Sequence, residues 1–133
     1  MKDCIFCKII DRKIPAEIVY EDETSLAFLD INPINKGHTL VIPKQHFETL
    51  NELPQPILDK TMVLVKKIVK ALSKYADGVN LGLNNGRAAG QVVFHVHFHL
   101  MPRFEGDGFK LWSGKPYGEG EVQQVAREIR TLL

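Results

Sequence analysis

The segment His95-Val96-His97-Phe98-His99-Leu100-Met101 holds three of the five histidines in this chain of 133 residues. Alternate side chains of an extended strand share a face and lie about 6.6 Å apart, so the segment predicts a strand with three imidazoles on one face and apolar side chains on the other. The first and third imidazoles would be about 13 Å apart, too far to bind one metal ion through bonds of about 2.0 to 2.1 Å. At least one is therefore available as an acid, base or nucleophile near neutral pH. The simpler interpretation, a polar face of surface histidines, is disfavoured by the strict alternation.

Length and composition are typical of one globular domain. With 133 residues, of which 44% are hydrophobic and 25% charged, we expect a single domain over residues 1–133, with a less certain tail from about residue 103. The net charge of +1 provides no bulk field that would attract a nucleic acid or an anionic membrane. No apolar run has the length of a membrane span or a signal peptide, so we expect a cytoplasmic protein without nucleic-acid or membrane partners.

The chain has two cysteines, Cys4 and Cys7, which form a C-x2-C pair. In a reducing compartment such a pair indicates metal binding or redox chemistry before a structural disulfide. A thioredoxin-like pair follows a strand within a βαβ unit, whereas only three residues precede Cys4, which makes redox chemistry the weaker interpretation. Zinc would need two further ligands from histidine or carboxylate side chains. An inert buried pair is the third interpretation.

Hydrophobic patterning predicts an α+β fold, because runs of strands are set apart from the helices and do not alternate with them. The expected architecture is an antiparallel β-sheet with one long and two short helices. Besides the histidine segment, the predicted strands are 17–20, 25–29, 38–42 and 79–83, and the predicted helices are 4–12, 54–75 and 121–132. The segments 30–37 and 84–90 are predicted loops because of their Asn and Gly content.

The long helix has a broad apolar stripe. Its centre is formed by Leu58, Met62, Val65, Val69 and Leu72, and its margins are formed by Ile57, Leu64, Ile68, Ala71 and Tyr75. A helix that covers one face of a sheet needs a narrower stripe, so we expect part of this one to pack against a second subunit in a homodimer. A deep core within one chain is the alternative.

The histidine segment resembles the H-φ-H-φ-H-φ-φ motif of the histidine triad (HIT) family. The resemblance extends to about Pro102 and includes, in the same order as in the family, Cys7-Lys8-Ile9-Ile10, Lys13-Ile14-Pro15-Ala16, Phe28-Leu29-Asp30, Gly37-His38, Val41-Ile42-Pro43 and the loop 84–90. It implies the HIT-like α+β fold and a homodimer. The tail from Arg103 onward matches neither the Hint branch nor the Fhit branch closely, although an N-terminal C-x2-C is similar to zinc-containing members of the Hint branch.

The resemblance implies a nucleotide hydrolase that cleaves at the α-phosphate of a nucleoside phosphoramidate or dinucleoside polyphosphate and releases a nucleoside monophosphate. By this resemblance His97 would attack phosphorus and form a nucleotidyl-histidine, and His99 would contact the phosphate oxygens. Asp30 would accept hydrogen bonds from the ribose hydroxyls of a purine nucleotide. The other nucleotide-binding residues that it implies are Phe6, Ile9, Ile14 and Phe28 around the base, and Asn84, Gly90, Gln91, Val92 and Val93 around the phosphate.

The same resemblance implies a structural zinc ion held by Cys4, Cys7, His46 and His95. A Cys2His2 set of this kind leaves no open coordination position, which is typical of a structural site. His95 would then be withdrawn from acid-base chemistry. His38 resembles a supporting residue near the triad, and a core histidine on a strand is the alternative interpretation.

Two other classes of function stay open from the residues alone. A metal-dependent hydrolase could use His95 and His97 as paired ligands to an ion that activates water. A nucleotide-binding or zinc-containing interaction protein would hold the nucleotide at the same site without turnover.

Overall fold

The computed structural model describes residues 3–133 as one antiparallel sheet with three helices. In chain order the elements are α1 Ile5–Ile10, β1 Ile18–Glu21, β2 Ser25–Leu29, β3 Thr39–Pro43, α2 Gln55–Leu72, β4 Gly78–Leu83, β5 Phe98–Arg103 and α3 Glu121–Leu132, with short 3-10 turns at Leu50–Glu52 and Arg87–Ala89. The strand order is β1-β2-β3-β5-β4, and every neighbouring pair is antiparallel. The predicted α+β class with an antiparallel sheet is confirmed.

One face of the sheet is covered by α2. Its buried Leu64 and Val65 pack against Val41 of β3 and against Phe98 and Leu100 of β5. These strand residues alternate with residues that face the other side, as the period of two in a strand requires. Among the described residues, no helix is both long and apolar enough to cross a membrane.

The opposite face of the sheet is covered by α1. The side chains of Phe6 and Ile9 on this short helix pack on Leu26, Phe28 and Leu40, which project from β2 and β3. Six residues of helix have little stability of their own. The position of α1 therefore depends on these contacts and on the cysteines at its start, and it determines the shape of the cleft described below.

The histidine strand is shorter than predicted. Strand β5 begins at Phe98, which pairs with Val41, so only His99 of the three histidines lies in the sheet. The reason is that the preceding segment bonds elsewhere: the Val96 N–H donates to the Phe47 carbonyl at 2.8 Å, and the ring of His95 donates to the Pro43 carbonyl at 2.8 Å. Other boundaries differ from prediction by one to three residues, while β2 and α3 have the predicted bounds.

The tail is attached to the sheet at its first residues only, within the part of the chain that the structure describes. Arg103 forms an ion pair with Asp107, whose carboxylate also accepts from Asn35 at 2.9 Å. Beyond this point Trp112 is 97% exposed, and α3 buries none of its residues despite a clear apolar side.

Candidate active site and metal centre

A cleft of about 440 Å³ opens between α1, the ends of β2 and β3, and the loop that precedes β5. Its apolar wall contains the edge-to-face pair of Phe6 and Phe28, whose ring centroids are 5.3 Å apart. Its polar end contains His97 and His99. The cleft is lined by Ile5, Phe6, Ile9, Ile14, Pro15, Ala16, Phe28, Leu29, Asp30, Ile31, Asn32, Leu40, Asn84, Gly90, Val92, Val93, His97 and His99.

His97 is held in one tautomer by the main chain. Its Nδ1 lies 2.7 Å from the His95 carbonyl oxygen, and a carbonyl can only accept, so Nδ1 carries the hydrogen. Nε2 is then the nitrogen with a free lone pair. Burial lowers the pKa of His97, although its hydrogen bond and the nearby Asp30 oppose the shift. The side chain is therefore a neutral imidazole at pH 7, which is the nucleophilic form.

A second hydrogen-bonded chain determines the tautomer of His99. The Ile34 N–H donates to Nδ1 of His38 at 3.0 Å, so the hydrogen of a neutral His38 lies on Nε2. That nitrogen is 3.0 Å from Nδ1 of His99 and donates to it. Nε2 of His99 is then an N–H donor beside His97, with 4.9 Å between the ring centroids of the two residues. Burial lowers the pKa of His99 to about 4, so its side chain is a neutral donor at pH 7.

Asp30 lies at the end of β2 near this chain. One of its oxygens accepts the Asn32 N–H at 2.8 Å, and the other is 3.7 Å from Nε2 of His38. Asp30, His38 and His99 are close enough together to suggest a metal site. A metal would need the lone pair of His38 Nε2, yet the Ile34 N–H already takes the lone pair of Nδ1, so Nε2 carries the hydrogen. His38 and His99 therefore form a hydrogen-bonded relay, and the Asp30 carboxylate lies beside it.

The loop between β4 and β5 closes the polar end of the cleft. Gly90 has a φ of +95°, and a Cβ built there would lie 3.5 Å from the amide nitrogen of Asn84. The left-handed conformation favours glycine and brings the loop backbone close to Asn84. Val92, which is 86% exposed, lies at the mouth.

Gln91 does not take the predicted position at the phosphate. Its side chain is 3% exposed and is absent from the lining of the cleft. The side-chain oxygen accepts the Gly86 N–H at 2.8 Å, and the amide nitrogen donates to the carbonyls of Glu48 and Val93 at 2.6 and 3.2 Å. The amide is fully occupied within the loop, so Gln91 shapes the loop and does not line the cleft.

The expected cradle of backbone amides from Gly90 to Val93 is only partly available. The N–H groups of Gly90 and Gln91 donate within the turn, to the carbonyls of Arg87 and Gly86 at 3.0 and 3.1 Å. No acceptor for the N–H of Val92 or Val93 is found among residues 3–133. These two groups are the amides that a ligand could use.

Next to His97, four side chains predicted to bind zinc converge. The distances are 3.4 Å from Cys4 Sγ to His95 Nδ1, 3.4 Å from Cys7 Sγ to His46 Nδ1, 3.6 Å from Cys7 Sγ to His95 Nδ1, and 3.2 Å from His46 Nδ1 to His95 Nδ1. Bonds of about 2.3 Å to sulfur and about 2.0 to 2.1 Å to nitrogen would place tetrahedral ligands about 3.6 Å apart for S···N and about 3.3 Å for N···N. The four atoms therefore fit the corners of a zinc tetrahedron.

The hydrogen bonds of His95 also suit a metal ligand. Its Nε2 lies 2.8 Å from the Pro43 carbonyl and must carry the hydrogen, which leaves Nδ1 with the lone pair that faces the cysteines. The side chain is fully buried, and burial lowers its pKa to about 4, so Nδ1 is unprotonated at pH 7. His95 thus belongs to the candidate metal centre with its ring and to the candidate active site with its carbonyl.

Apart from Gln91, all residues that were predicted to bind the nucleotide line the cleft. The structure adds seven residues that sequence reasoning did not assign to the cleft: Ile5, Pro15, Ala16, Leu29, Ile31, Asn32 and Leu40. Most are immediate sequence neighbours of predicted residues, a signal that could have indicated them. Leu40 had no such signal, because its position depends on how β3 lies beside β2.

Fold and site together define an α+β protein whose cleft combines an apolar wall that contains Phe6 and Phe28 with a polar end that contains His97 and His99. Residues 11–106 match the family described as the HIT domain. An uncharacterized HIT-like protein of Methanocaldococcus jannaschii is 54% identical over 96% of this chain and 98% of its own length. The adenosine 5'-monophosphoramidase of Schizosaccharomyces pombe is 43% identical over 98% of both chains.

Two solved structures extend the comparison. A HIT family protein from Bacillus subtilis superposes with a TM-score of 0.89 at 43% identity, over 98% of this chain and 97% of its own. A zinc-bound histidine triad family protein from Mycobacterium smegmatis superposes with a TM-score of 0.78 at 36% identity, over 98% and 96%. The chain belongs to the HIT family, as the histidine segment predicted.

Proposed function

We propose that this protein is a nucleotide hydrolase that uses His97 as a covalent nucleophile at the α-phosphate of a nucleoside phosphoramidate or dinucleoside polyphosphate. The observation that carries the proposal is the tautomer of His97, whose Nδ1 is bonded to the His95 carbonyl so that the basic Nε2 is free. The name of the S. pombe relative, an adenosine 5'-monophosphoramidase, supports the substrate class.

The reaction has two displacements at phosphorus. In the first, Nε2 of His97 forms a bond to the α-phosphorus and the bond to the leaving group breaks. The leaving group is the amine of a phosphoramidate, which takes up a proton, or the second nucleotide of a dinucleoside polyphosphate, which carries the remaining phosphates. In the second, water attacks the phosphorus of the nucleotidyl-histidine, and the P–N bond to His97 breaks to release the monophosphate. Dividing one hard displacement into two easier ones lowers each barrier.

The remaining cleft residues bind and orient the nucleotide. The Nε2–H of His99 donates to a phosphate oxygen, as do the free amides of Val92 and Val93, and fixed donors of this kind favour the charge of the transition state. An anionic phosphate also raises the pKa of His99, so the bound state is more readily protonated than the empty one. Asp30 accepts from the ribose hydroxyls. The base lies against the apolar wall of Phe6, Ile9, Ile14 and Phe28.

We further propose that Cys4, Cys7, His46 and His95 hold a structural zinc ion. The tetrahedral spacing of their donor atoms supports zinc, as does the zinc-bound HIT protein of M. smegmatis. When bound, the ion would fix the start of α1 to the segment before β5 without an open position for a substrate.

The decisive experiment compares the wild type with His97→Ala on an adenosine phosphoramidate and, separately, on a dinucleoside polyphosphate. We expect the variant to lose about 10³-fold or more in kcat while it still binds AMP, because the nucleophile is absent and the cleft is intact. Equal rates for the two proteins would exclude His97 as the nucleophile. A wild type that binds AMP without any turnover would instead identify a nucleotide-binding protein.

The homodimer also remains a proposal. Strand β4 is an edge of the sheet, and its Leu81 is 50% exposed. On the helix beside it, Met62 and Val63 are 36% and 70% exposed, although the broad stripe of α2 led us to expect Met62 to be covered. An exposed edge with apolar neighbours is a surface that a second copy can cover. A cytoplasmic location stays a prediction as well.

A further inference from the structure

Cys4 and Cys7 are the two thiols of the chain, and the structure places their sulfur atoms within 4.8 Å of each other. The Cys7 N–H donates to Cys4 Sγ at 3.3 Å, which keeps the first sulfur over the backbone of the second residue. Cys4 is buried and Cys7 is partly exposed. The two thiols are thus close enough to react with each other, and an oxidant from solvent meets Cys7 first.

The metal centre and the nucleophile share His95. The ring of His95 faces both sulfur atoms through Nδ1, at 3.4 and 3.6 Å, while its carbonyl accepts the hydrogen of His97 Nδ1 at 2.7 Å. If the sulfur atoms turned toward each other, His95 would lose two partners on that side. The carbonyl that holds His97 in its reactive tautomer belongs to the same residue.

Helix α1 contributes residues both to the metal centre and to the apolar wall of the cleft. Phe6 lies between the two cysteines in the sequence, and its ring centroid is 5.1 Å from that of His97 and 5.3 Å from that of Phe28. A disulfide between Cys4 and Cys7 changes the first turn of this six-residue helix. Formation of the disulfide would therefore also displace Phe6, which is part of the apolar wall of the cleft.

We propose that the Cys4–Cys7 pair is an oxidation site that switches off nucleotide hydrolysis at His97. With a peroxide as oxidant, the Cys7 thiolate attacks one peroxide oxygen and becomes a sulfenic acid as the other oxygen leaves as water. The Cys4 thiolate then attacks the Cys7 sulfur and expels hydroxide, which gives the disulfide and a second water after protonation. Two electrons pass from the two sulfurs to the peroxide, and an ion held by them is released.

The test treats zinc-loaded protein with hydrogen peroxide and follows four quantities over time. These are the free zinc bound by a chromogenic chelator, the protein mass, the affinity for AMP, and the rate of phosphoramidate hydrolysis. We expect zinc release and the loss of two hydrogens to occur together, with a decrease of about 10- to 100-fold in activity, the range found when a supporting contact is removed, and a weaker affinity for AMP. Thiol reductant with added zinc should restore all four.

The control is Cys4→Ser/Cys7→Ser, which has no thiol to oxidise. Its AMP affinity should not respond to peroxide, and a response equal to that of the wild type would place the effect on other residues and overturn the proposal. Disulfide formation in the wild type without zinc release, or with unchanged AMP affinity and activity, would overturn it too. If this double variant does not fold, reversal of the wild type by reductant and zinc still decides the question.

The inference rests on the proposed function, yet the two can fail separately. Zinc release and AMP affinity report on the oxidation site even if no phosphoramidate is hydrolysed. An inactive wild type in which both respond to peroxide would contradict the hydrolase and retain the oxidation site.

Discussion

His97 and His99 each have one ring nitrogen engaged by a partner and one left for the ligand. The His95 carbonyl makes Nδ1 of His97 the protonated nitrogen, and His38 makes Nδ1 of His99 the acceptor. Two adjacent imidazoles therefore present opposite properties, a lone pair and an N–H, although both are neutral. In the proposed reaction, this difference allows His97 to attack phosphorus while His99 donates to a phosphate oxygen.

His38 is a positioning residue in this arrangement, and a pair of variants tests its role. His38→Leu removes the donor to His99, and we expect kcat to fall about 10- to 100-fold, as with the loss of other orienting hydrogen bonds. His38→Gln retains an N–H near the position of Nε2 and should recover part of the loss. Steady-state kinetics with matched unfolding curves makes the measurement, and full activity of His38→Leu at unchanged stability would argue against the relay.

Burial of the relay should also make stability depend on pH. The pKa of His99 is lowered to about 4 and that of His38 is lowered as well, in both cases mainly by burial. Both take up a proton near pH 6.5 when unfolded, so below that pH the unfolded chain binds more protons and the folded state loses stability. We expect the contribution of His99 to be complete above about pH 7 and to be lost between about pH 6.5 and 4.

Urea denaturation of the wild type and of His99→Asn over this range provides the measurement. The variant lacks one of the buried titrating groups, so its free energy of unfolding should decline less steeply as the pH falls. Parallel curves for the two proteins would show that His99 does not contribute.

At the scale of elements, the regular parts of the chain could be predicted and the irregular parts of the site could not. Strand β2 and helix α3 follow local patterns of hydrophobicity and turn residues, so their bounds agreed with the prediction. The start of β5 was wrong because His95 responds to partners far away in the sequence, among them Pro43 and Cys4. Gln91 was misplaced for a similar reason, since its partners include the Glu48 carbonyl.

The loop before β5 offers a test of backbone conformation. Gly90→Ala places a Cβ on a residue with a φ of +95°, so we expect a loss of about 1–2 kcal/mol in the free energy of unfolding. A higher KM should accompany it because the loop lines the cleft. Gly78→Ala is the control, since a Cβ there meets nothing within 4 Å and its φ is not left-handed. Equal effects of the two changes would contradict this account of the loop.

Removal of the proposed zinc ion tests the link between α1 and the segment before β5. We expect a strong chelator to lower the melting temperature and the AMP affinity of the zinc-loaded protein together, because the centre fixes the wall of the cleft as well as the nucleophile. Zinc should restore both. Loss of hydrolysis at unchanged melting temperature and AMP affinity would instead indicate a metal that takes part in the reaction.

At the scale of the whole molecule, substitutions at the two edges of the sheet should affect dimer formation differently. Leu81 on β4 and Val19 on β1 are both 50% exposed and lie on opposite edges of the sheet, and Leu81 pairs with Leu100, which packs against α2. We expect the wild type and Val19→Lys to be dimers by light scattering at micromolar concentration, and Leu81→Lys to be a monomer. A monomeric wild type would remove the case for the dimer.

The central claim is that a covalent bond forms between His97 and the α-phosphorus, and the stereochemistry at phosphorus tests it most directly. The substrate is an adenosine phosphoramidate made chiral at the α-phosphorus by sulfur, hydrolysed in oxygen-18 water. Each displacement inverts the phosphorus centre, so two of them through a nucleotidyl-histidine predict overall retention of configuration. Inversion would mean that water attacks the substrate in a single step, and it would contradict the role assigned to His97.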